Sequence, residues 1–209
     1  SLRKENGISG YPAPVESLTD IFHTGHAGTA VSSATGLKTG QLLLGNQSKV
    51  IAVIGDGSLT NGVTFEGLNF LGTLSKNPLI ILNDNKMSIS PTKGALSYYL
   101  AKLITSPIIN RPKKEFAEVL QSIPSIGKDI IRVAQEVEKK TKHLFIPGVL
   151  FEKMGLKYFG PIDGHDIRQL TDILANIKDI EEPVLLHVVT KKGKGYQPAE
   201  EKPADFHNA

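Results

Sequence analysis

The sequence predicts an α/β fold: a doubly wound, mostly parallel sheet with helices on both faces. Three observations carry that expectation. Short apolar runs have the length and β-branched character of buried strands: VIAVI (Val50 to Ile54), LIIL (Leu79 to Leu82) and PVLLHVVT (Pro183 to Thr190). Stretches with helical spacing separate them. Two of the strands end abruptly in polar clusters, Gly55-Asp56-Gly57 and Asn83-Asp84-Asn85. A strand, a helix and a strand of this size form a βαβ unit, so the two strands run parallel with a right-handed crossover.

Taken in order, the chain opens with residues 1–22, polar and rich in glycine and proline (GISGYPAPVES). They read as an extended approach segment. From Gly28, GTAVSSATGLKTGQLLLG has helical spacing and many small residues, which suits close backbone packing against a sheet or another chain. After the first strand a helix runs from about Asn61 to Ser75, leading into the second strand. Residues 95–155 carry little strand signal and read as a helical insertion, punctuated by Pro107, Pro112, Pro124 and Pro147. KYFGPIDGHD makes a short strand and turn, with Asp166 placed to cap the helix DIRQLTDILANIK. The last strand runs into KKGKGYQPAE. With no internal repeat or low-complexity tract, residues 1–209 read as a single domain.

Composition narrows the function classes. The 209 residues are 40% hydrophobic and 22% charged, and 24 basic side chains stand against 21 acidic ones. That balance, spread through the chain, argues against a nucleic-acid partner. The absence of cysteine excludes disulfides and thiolate metal sites. No apolar run approaches the length of a membrane span and no signal-peptide pattern occurs, so no membrane partner and a cytoplasmic location are expected.

Ligands of an open parallel sheet collect at the carboxyl ends of its strands. Both polar clusters lie there, and right-handed crossover puts them on one edge. Asp56 and Asn85, 29 residues apart, can converge on one point. A carboxylate and an amide oxygen suit a hard cation such as Mg²⁺ or Ca²⁺. Flanking glycines let a phosphate approach the backbone, and the helix from Asn61 turns its N-terminus toward the same place. Gly-Asp-Gly after a strand also serves as a plain tight turn, and Asn-Asp-Asn alone is a weak signal. It is their placement on successive strands that points to a site.

At this point a family resemblance enters. GDGS followed by NDN looks like the metal-diphosphate motif of thiamine-diphosphate enzymes. FHTGHAGTAVSSATGL, GDGSLTNGVTFEGLN, ILNDNKMSIS with GALSYYL, YFGPIDGHD and LLHVVTKKGKGYQPAE closely resemble the 1-deoxy-D-xylulose-5-phosphate synthases, from about Gly7 to His207. Transketolases and pyruvate dehydrogenases share the metal motif but not these flanking stretches.

The resemblance implies that thiamine diphosphate and Mg²⁺ are the cofactors, and that this is the diphosphate-side domain. Asp56, the Asn85 side chain and the Met87 carbonyl would ligate Mg²⁺. Gly57 and Ser58 would contact the diphosphate, Gly25, His26 and Ala27 would line the cofactor site, and Lys194 and Tyr196 would lie near the diphosphate. His207 matches a histidine that reaches the active site from the following linker; with His26 it is a candidate catalytic residue. The implied reaction joins pyruvate and glyceraldehyde 3-phosphate with loss of CO₂, giving 1-deoxy-D-xylulose 5-phosphate, a precursor of isoprenoids, thiamine and pyridoxal. The implied assembly is a homodimer, in the cytoplasm or, in a plant, the plastid stroma.

Members of that family are much longer. The opening segment with its histidines, the pyrimidine-binding domain with its activating glutamate, the C-terminal domain and most substrate-phosphate arginines fall outside these residues. No turnover is therefore expected from this chain alone. A split enzyme and a silent cofactor-binding module are the rival readings, and a nucleotide-binding α/β protein is disfavoured by the lack of GxGxxG and GxxxxGK[ST]. The remaining histidines have plainer readings. His23 and His26 are spaced i, i+3 with no third ligand in sequence, His165 suits a turn beside a helix cap, His187 suits a core-facing or hydrogen-bonded strand position, and His143 suits a solvated helix end. Lys191 and Lys192 read as a solvated loop, and Lys194 as the lysine facing an anion.

Overall fold

The computed structural model describes residues 2–74, 78–86, 94–105 and 148–206. In chain order the elements are α1 (Ala30–Leu43), β1 (Val50–Gly55), α2 (Asp56–Leu59), α3 (Gly62–Leu71), β2 (Pro78–Asp84), α4 (Ala95–Thr105), α5 (Val149–Lys153), β3 (Lys157–Asp163), α6 (Ile167–Ile177), β4 (Val184–Val189) and α7 (Gln197–Glu201). The strands form one four-stranded sheet in the order β1-β2-β4-β3. Every pairing is parallel. The fold class read from the sequence is therefore the one observed. Of the helical insertion expected for 95–155, the described residues hold α4 and α5; residues 106–147, His143 among them, lie outside the described residues.

Side chains on successive strand residues point to opposite faces, so each face of the sheet builds its own apolar layer. On one face Val50, Ala52 and Ile54 of β1, Ile80 and Leu82 of β2 and Leu185 of β4 meet Val31 and Ala34 of α1, Leu68 and Leu71 of α3, Leu100 and Phe151. On the other, Leu186 and Val188 of β4 and Ile162 of β3 meet Ile173 and Ile177 of α6. The α1 residues that bury (Val31, Ala34, Thr35 and Lys38) follow the i, i+3, i+4, i+7 stripe of a helix seated on a layer. Lys38 reaches out of this stripe to donate to the Ser48 carbonyl at 2.9 Å.

Small residues along α1 and α3 do what their size permits. A Cβ on Gly67 would stand 2.8 Å from Ser32 Oγ and 3.0 Å from the Ser32 nitrogen, so the two helices cross nearly backbone to backbone. The Ser32 hydroxyl donates to the Val63 carbonyl across the same crossing, at 3.3 Å. At the far edge, a register shift between Phe159 and Ile162 interrupts the β3–β4 ladder. Gly160 fills it at φ 117°, where a Cβ would lie 2.4 Å from the His187 carbonyl.

Two local expectations need correction. The helix expected to reach Ser75 stops at Leu71, where Gly72 caps it against Met154; there an added Cβ would overlap the Met154 carbonyl. The opening segment contains no helix or strand in its described part, but it is folded into turns rather than extended. Ser9 and Ala13 donate their backbone N–H groups to the carboxylates of Glu16 and Asp20, at 2.8 and 2.9 Å, and Ala13 is buried. Side chains reaching back to the backbone compact a stretch that has no apolar periodicity to signal it.

Gly67→Val forces atoms into the α1–α3 crossing, and overpacking of this kind costs about 1–3 kcal/mol. Urea unfolding of the folded variant is expected to show an unfolding free energy lower by that amount, read as a lower midpoint with an unchanged slope. An unchanged midpoint would mean that the helices are not in contact at Gly67.

Candidate cofactor site at the carboxyl edge of the sheet

β1 and β2 pair in register from Val50 opposite Pro78 to Gly55 opposite Asn83. Past that last rung the two chains leave the sheet together. Asp56 follows β1 directly and is only 3% exposed, and half-buried Asn85 follows β2 directly. Asp56 does not sit in a bare turn: it opens the single helical turn α2, and the chain then re-enters a helix at Gly62. Asn61 caps that second helix by accepting from the Val63 N–H at 3.1 Å. Its other side-chain atom, Nδ2, donates to the Ala27 carbonyl at 3.1 Å. Thr64 donates to the Gly28 carbonyl at 2.9 Å in a buried contact. The start of α3 thereby clamps the turn of His26, Ala27 and Gly28. At Gly28 the backbone has φ 87°, and a Cβ would be 2.6 Å from Asn61 Cγ, so the close clamp needs glycine.

A cleft of about 530 Å³ runs along the outer edge of β1, between it and the turn-rich residues 19–30. His23, His26, Ala27, Gly55 and Ser58 are among the residues that line it. Of the sequence-predicted positions, His26, Ala27 and Ser58 are thus brought to one cleft. The His26 carbonyl accepts from Thr29 Oγ1 at 3.2 Å, and its ring is exposed. Gly25 lies beside the cleft at φ 135° without lining it. Asp56, Gly57 and Asn85, at the strand ends, are not among the residues that line it.

The third arm of the site comes from β4. Thr190 donates from its backbone to the Asp84 carbonyl at 2.9 Å and from its hydroxyl to Asn83 Oδ1 at 2.6 Å. The glycine-lysine loop therefore leaves the sheet beside Asn83-Asp84-Asn85. Glu200 of α7 folds this loop by accepting from the Gly195 N–H at 2.8 Å and from Lys191 Nζ. His165 bridges it to the β3 turn: its Nε2 accepts the Lys191 N–H at 2.8 Å, while its own N–H donates to Asp163. Lys194 and Tyr196 sit on the resulting tight turn, with Tyr196 edge-on to Phe206 at 5.8 Å. Met87 and His207 lie outside the described residues.

The donor set fits a hard cation. Asp56 and Asn85 offer oxygen atoms only, and among the described residues no group of three or more His, Asp or Glu gathers in the manner of a zinc site. An added Cβ at Gly55 would meet open space, so the backbone at the end of β1 is accessible to a ligand. Among the described residues no helix is long and apolar enough to cross a membrane.

Comparison with known proteins identifies the family of the chain. The family model described as 1-deoxy-D-xylulose-5-phosphate synthase matches residues 1–190. The chain belongs to that family. It is 47% identical over 207 residues to the 1-deoxy-D-xylulose-5-phosphate synthase of Pelotomaculum thermopropionicum, covering 99% of this chain and 32% of that protein. It is likewise 47% identical over 209 residues to the synthase of Caldanaerobacter subterraneus subsp. tengcongensis, covering 100% of this chain and 34% of that protein. The chain thus spans about a third of the length of these relatives. In structure it is similar to transketolase from Campylobacter jejuni, with a TM-score of 0.57 at 22% identity over 89% of this chain and 23% of that one. The likeness shows a shared fold.

One connection is not legible in the sequence, which marks His187 only as a core-facing or hydrogen-bonded strand residue. Asp84, His187 and Tyr158 form a buried hydrogen-bonded chain under the Asn85 turn. A histidine inside the apolar run VLLHVV, beside a strand that ends in aspartate, was the available signal.

Glu200 supplies a pH test of the loop. The hydrogen bond from Lys191, and then that from the Gly195 amide, hold its carboxyl below the usual glutamate value of 4.5. A carboxyl pKa lowered by folding stabilises the loop above the ordinary glutamate value, and that stabilisation fades as pH falls through the lower folded-state value. The Gly195 amide resonance is expected to titrate with a midpoint below 4.5 and to lose this titration in Glu200→Gln. A midpoint at or above the ordinary value would contradict the contact.

Proposed function

We propose that this chain is the diphosphate-side domain of a thiamine-diphosphate-dependent transferase of the transketolase class, acting as a 1-deoxy-D-xylulose-5-phosphate synthase. One observation carries the reading. Buried Asp56 and half-buried Asn85 leave neighbouring parallel strands just past the paired rung Gly55–Asn83, at the sheet edge where ligands collect.

In this reading Asp56 and the Asn85 side chain hold Mg²⁺, with the Met87 carbonyl as a third protein ligand. Mg²⁺ takes its other positions from diphosphate oxygens and water, so few protein ligands suffice. The backbone at Gly57 and the Ser58 hydroxyl receive the diphosphate, and Lys194 and Tyr196 close over it from the β4 side. Gly25, His26 and Ala27 line the cofactor, with the clamp from Asn61 and Thr64 holding their turn in place. When bound, thiamine diphosphate supplies the nucleophilic carbon and the electron sink for decarboxylating pyruvate and joining the remainder to glyceraldehyde 3-phosphate. His26, exposed on the cleft wall, donates or accepts a proton or hydrogen-bonds a developing oxyanion there. His207 does so from the linker that follows. The pyrimidine-binding domain is supplied elsewhere in the assembled homodimer, in cis or by a separate chain, and this chain is inactive without it. The product feeds isoprenoid, thiamine and pyridoxal synthesis in the cytoplasm.

Calorimetric titration of thiamine diphosphate tests this, with Mg²⁺ or with EDTA, into the folded chain and the full-length protein. Binding is expected to require Mg²⁺ and to weaken by about a hundredfold in Asp56→Ala. Full-length protein that binds the cofactor equally well in EDTA, or with Asp56 removed, would overturn the assignment. Full-length protein that binds but releases no CO₂ from pyruvate and glyceraldehyde 3-phosphate would leave a silent cofactor-binding module.

A further inference from the structure

Three polar side chains lie across the sheet beneath the Asn85 turn, each on a different strand. His187 of β4 is fully buried, and Asp84 at the end of β2 is 2% exposed. His187 Nε2 lies 3.1 Å from Asp84 Oδ2, and Nδ1 lies 2.7 Å from the Tyr158 hydroxyl on β3. Tyr158 is itself held, its ring stacked on Phe151 at 5.7 Å with an interplanar angle of 5°. Burial, and then the neighbouring Tyr99 and Asp84, push the Tyr158 phenol well above its ordinary pKa, so it remains a donor. One arrangement of protons satisfies the chain: Tyr158 O–H donates to Nδ1, and Nε2–H donates to the Asp84 carboxylate. Buried groups without these partners would each carry a desolvation penalty.

Asp84 has a second oxygen, and that oxygen shapes the site. Oδ1 accepts the Lys86 backbone N–H at 3.0 Å, closing an Asx turn around Asn85. Lys86 stands at φ 60°, a left-handed conformation that a residue with a Cβ adopts only when its surroundings hold it there. The Asp84 carbonyl is also engaged, accepting from Thr190 N. Every polar atom of Asp84 beyond its own N–H is thus used, one carboxylate oxygen to hold the turn and the other to be held by His187.

We propose that Tyr158, His187 and Asp84 are positioning residues that fix the Asn85 turn for metal binding. The inference rests on the reading of Asp56 and Asn85 as the cation ligands. The relay touches neither cofactor nor substrate. It sets the angle at which Asn85 leaves β2, so its loss weakens the metal rather than removing a reacting group.

The test uses full-length protein with saturating thiamine diphosphate and Mn²⁺ as the probe, read by electron paramagnetic resonance. Backbone hydrogen exchange at Lys86 is measured alongside. His187→Gln and the milder Tyr158→Phe are compared with wild type and with Asp56→Ala, folding being checked by circular dichroism. Tyr158→Phe removes only a hydroxyl, so it keeps the test valid should His187→Gln fail to fold. The relay predicts Mn²⁺ binding about tenfold to a hundredfold weaker in His187→Gln and several-fold weaker in Tyr158→Phe. Lys86 exchange should accelerate in both. A purely structural role would lower thermal stability and leave Mn²⁺ affinity in the folded variant unmoved, and that result overturns the proposal. Loss of binding in Asp56→Ala together with full affinity in both relay variants removes the relay alone. Unchanged binding in Asp56→Ala removes the cation site and the relay with it.

Discussion

The candidate site depends on one rung of a parallel sheet, Gly55 opposite Asn83. A parallel pair runs in one direction, so both chains reach the same edge together and both change from apolar to polar just beyond it. Slipping the register by one residue would turn every β2 side chain to the opposite face. Ile80 and Leu82 would leave the layer they share with α3, and Leu79 and Ile81 would leave the one beneath α6. Two buried layers therefore hold the register that brings the ends of β1 and β2 to one edge. The apolar core and the polar edge are consequences of the same pairing.

Around that rung the structure builds three supports of different kinds. The start of α3 clamps the His26–Gly28 turn through the Asn61 side chain and Thr64. Thr190 ties the exit of β4 to Asn83 and Asp84, so the glycine-lysine loop leaves beside the Asn85 turn. The buried Asp84–His187–Tyr158 chain holds the Asn85 turn through the Asp84 carboxylate. Polar groups in a core of Leu82, Leu185 and Phe151 are costly unless fully satisfied. Their presence marks the place where apolar packing gives way to orientation.

The features legible in the sequence are those governed by local chemistry or by a single crossover. Asp166 could be read as a helix cap because a cap needs only the next three residues, and its side chain does accept from Gln169 N at 3.1 Å. β1 and β2 could be read as parallel because a helix of the right length lies between them. The strand order could not be read that way. β4 inserts between β2 and β3 although it follows both in the chain, and only that insertion brings His187 between Asp84 and Tyr158. The helical turn at Asp56 was likewise hidden, because Gly-Asp-Gly favours a turn and four residues show no period. The compact opening segment was missed for a related reason: carboxylates of Glu16 and Asp20 hold it, and apolar spacing carries no trace of them. Of the site, the residues at the strand ends were legible, and those that orient them from neighbouring strands were not.

The proposed site requires Asp56 and Asn85 to converge on a single ion. The most direct measurement is an anomalous difference map from crystals of the full-length protein grown with Mn²⁺ and thiamine diphosphate. One strong peak is expected at the carboxyl edge of the sheet, coordinated by Asp56 and by the side-chain oxygen of Asn85. A peak bound to neither residue, or to one of them without the other, would contradict it.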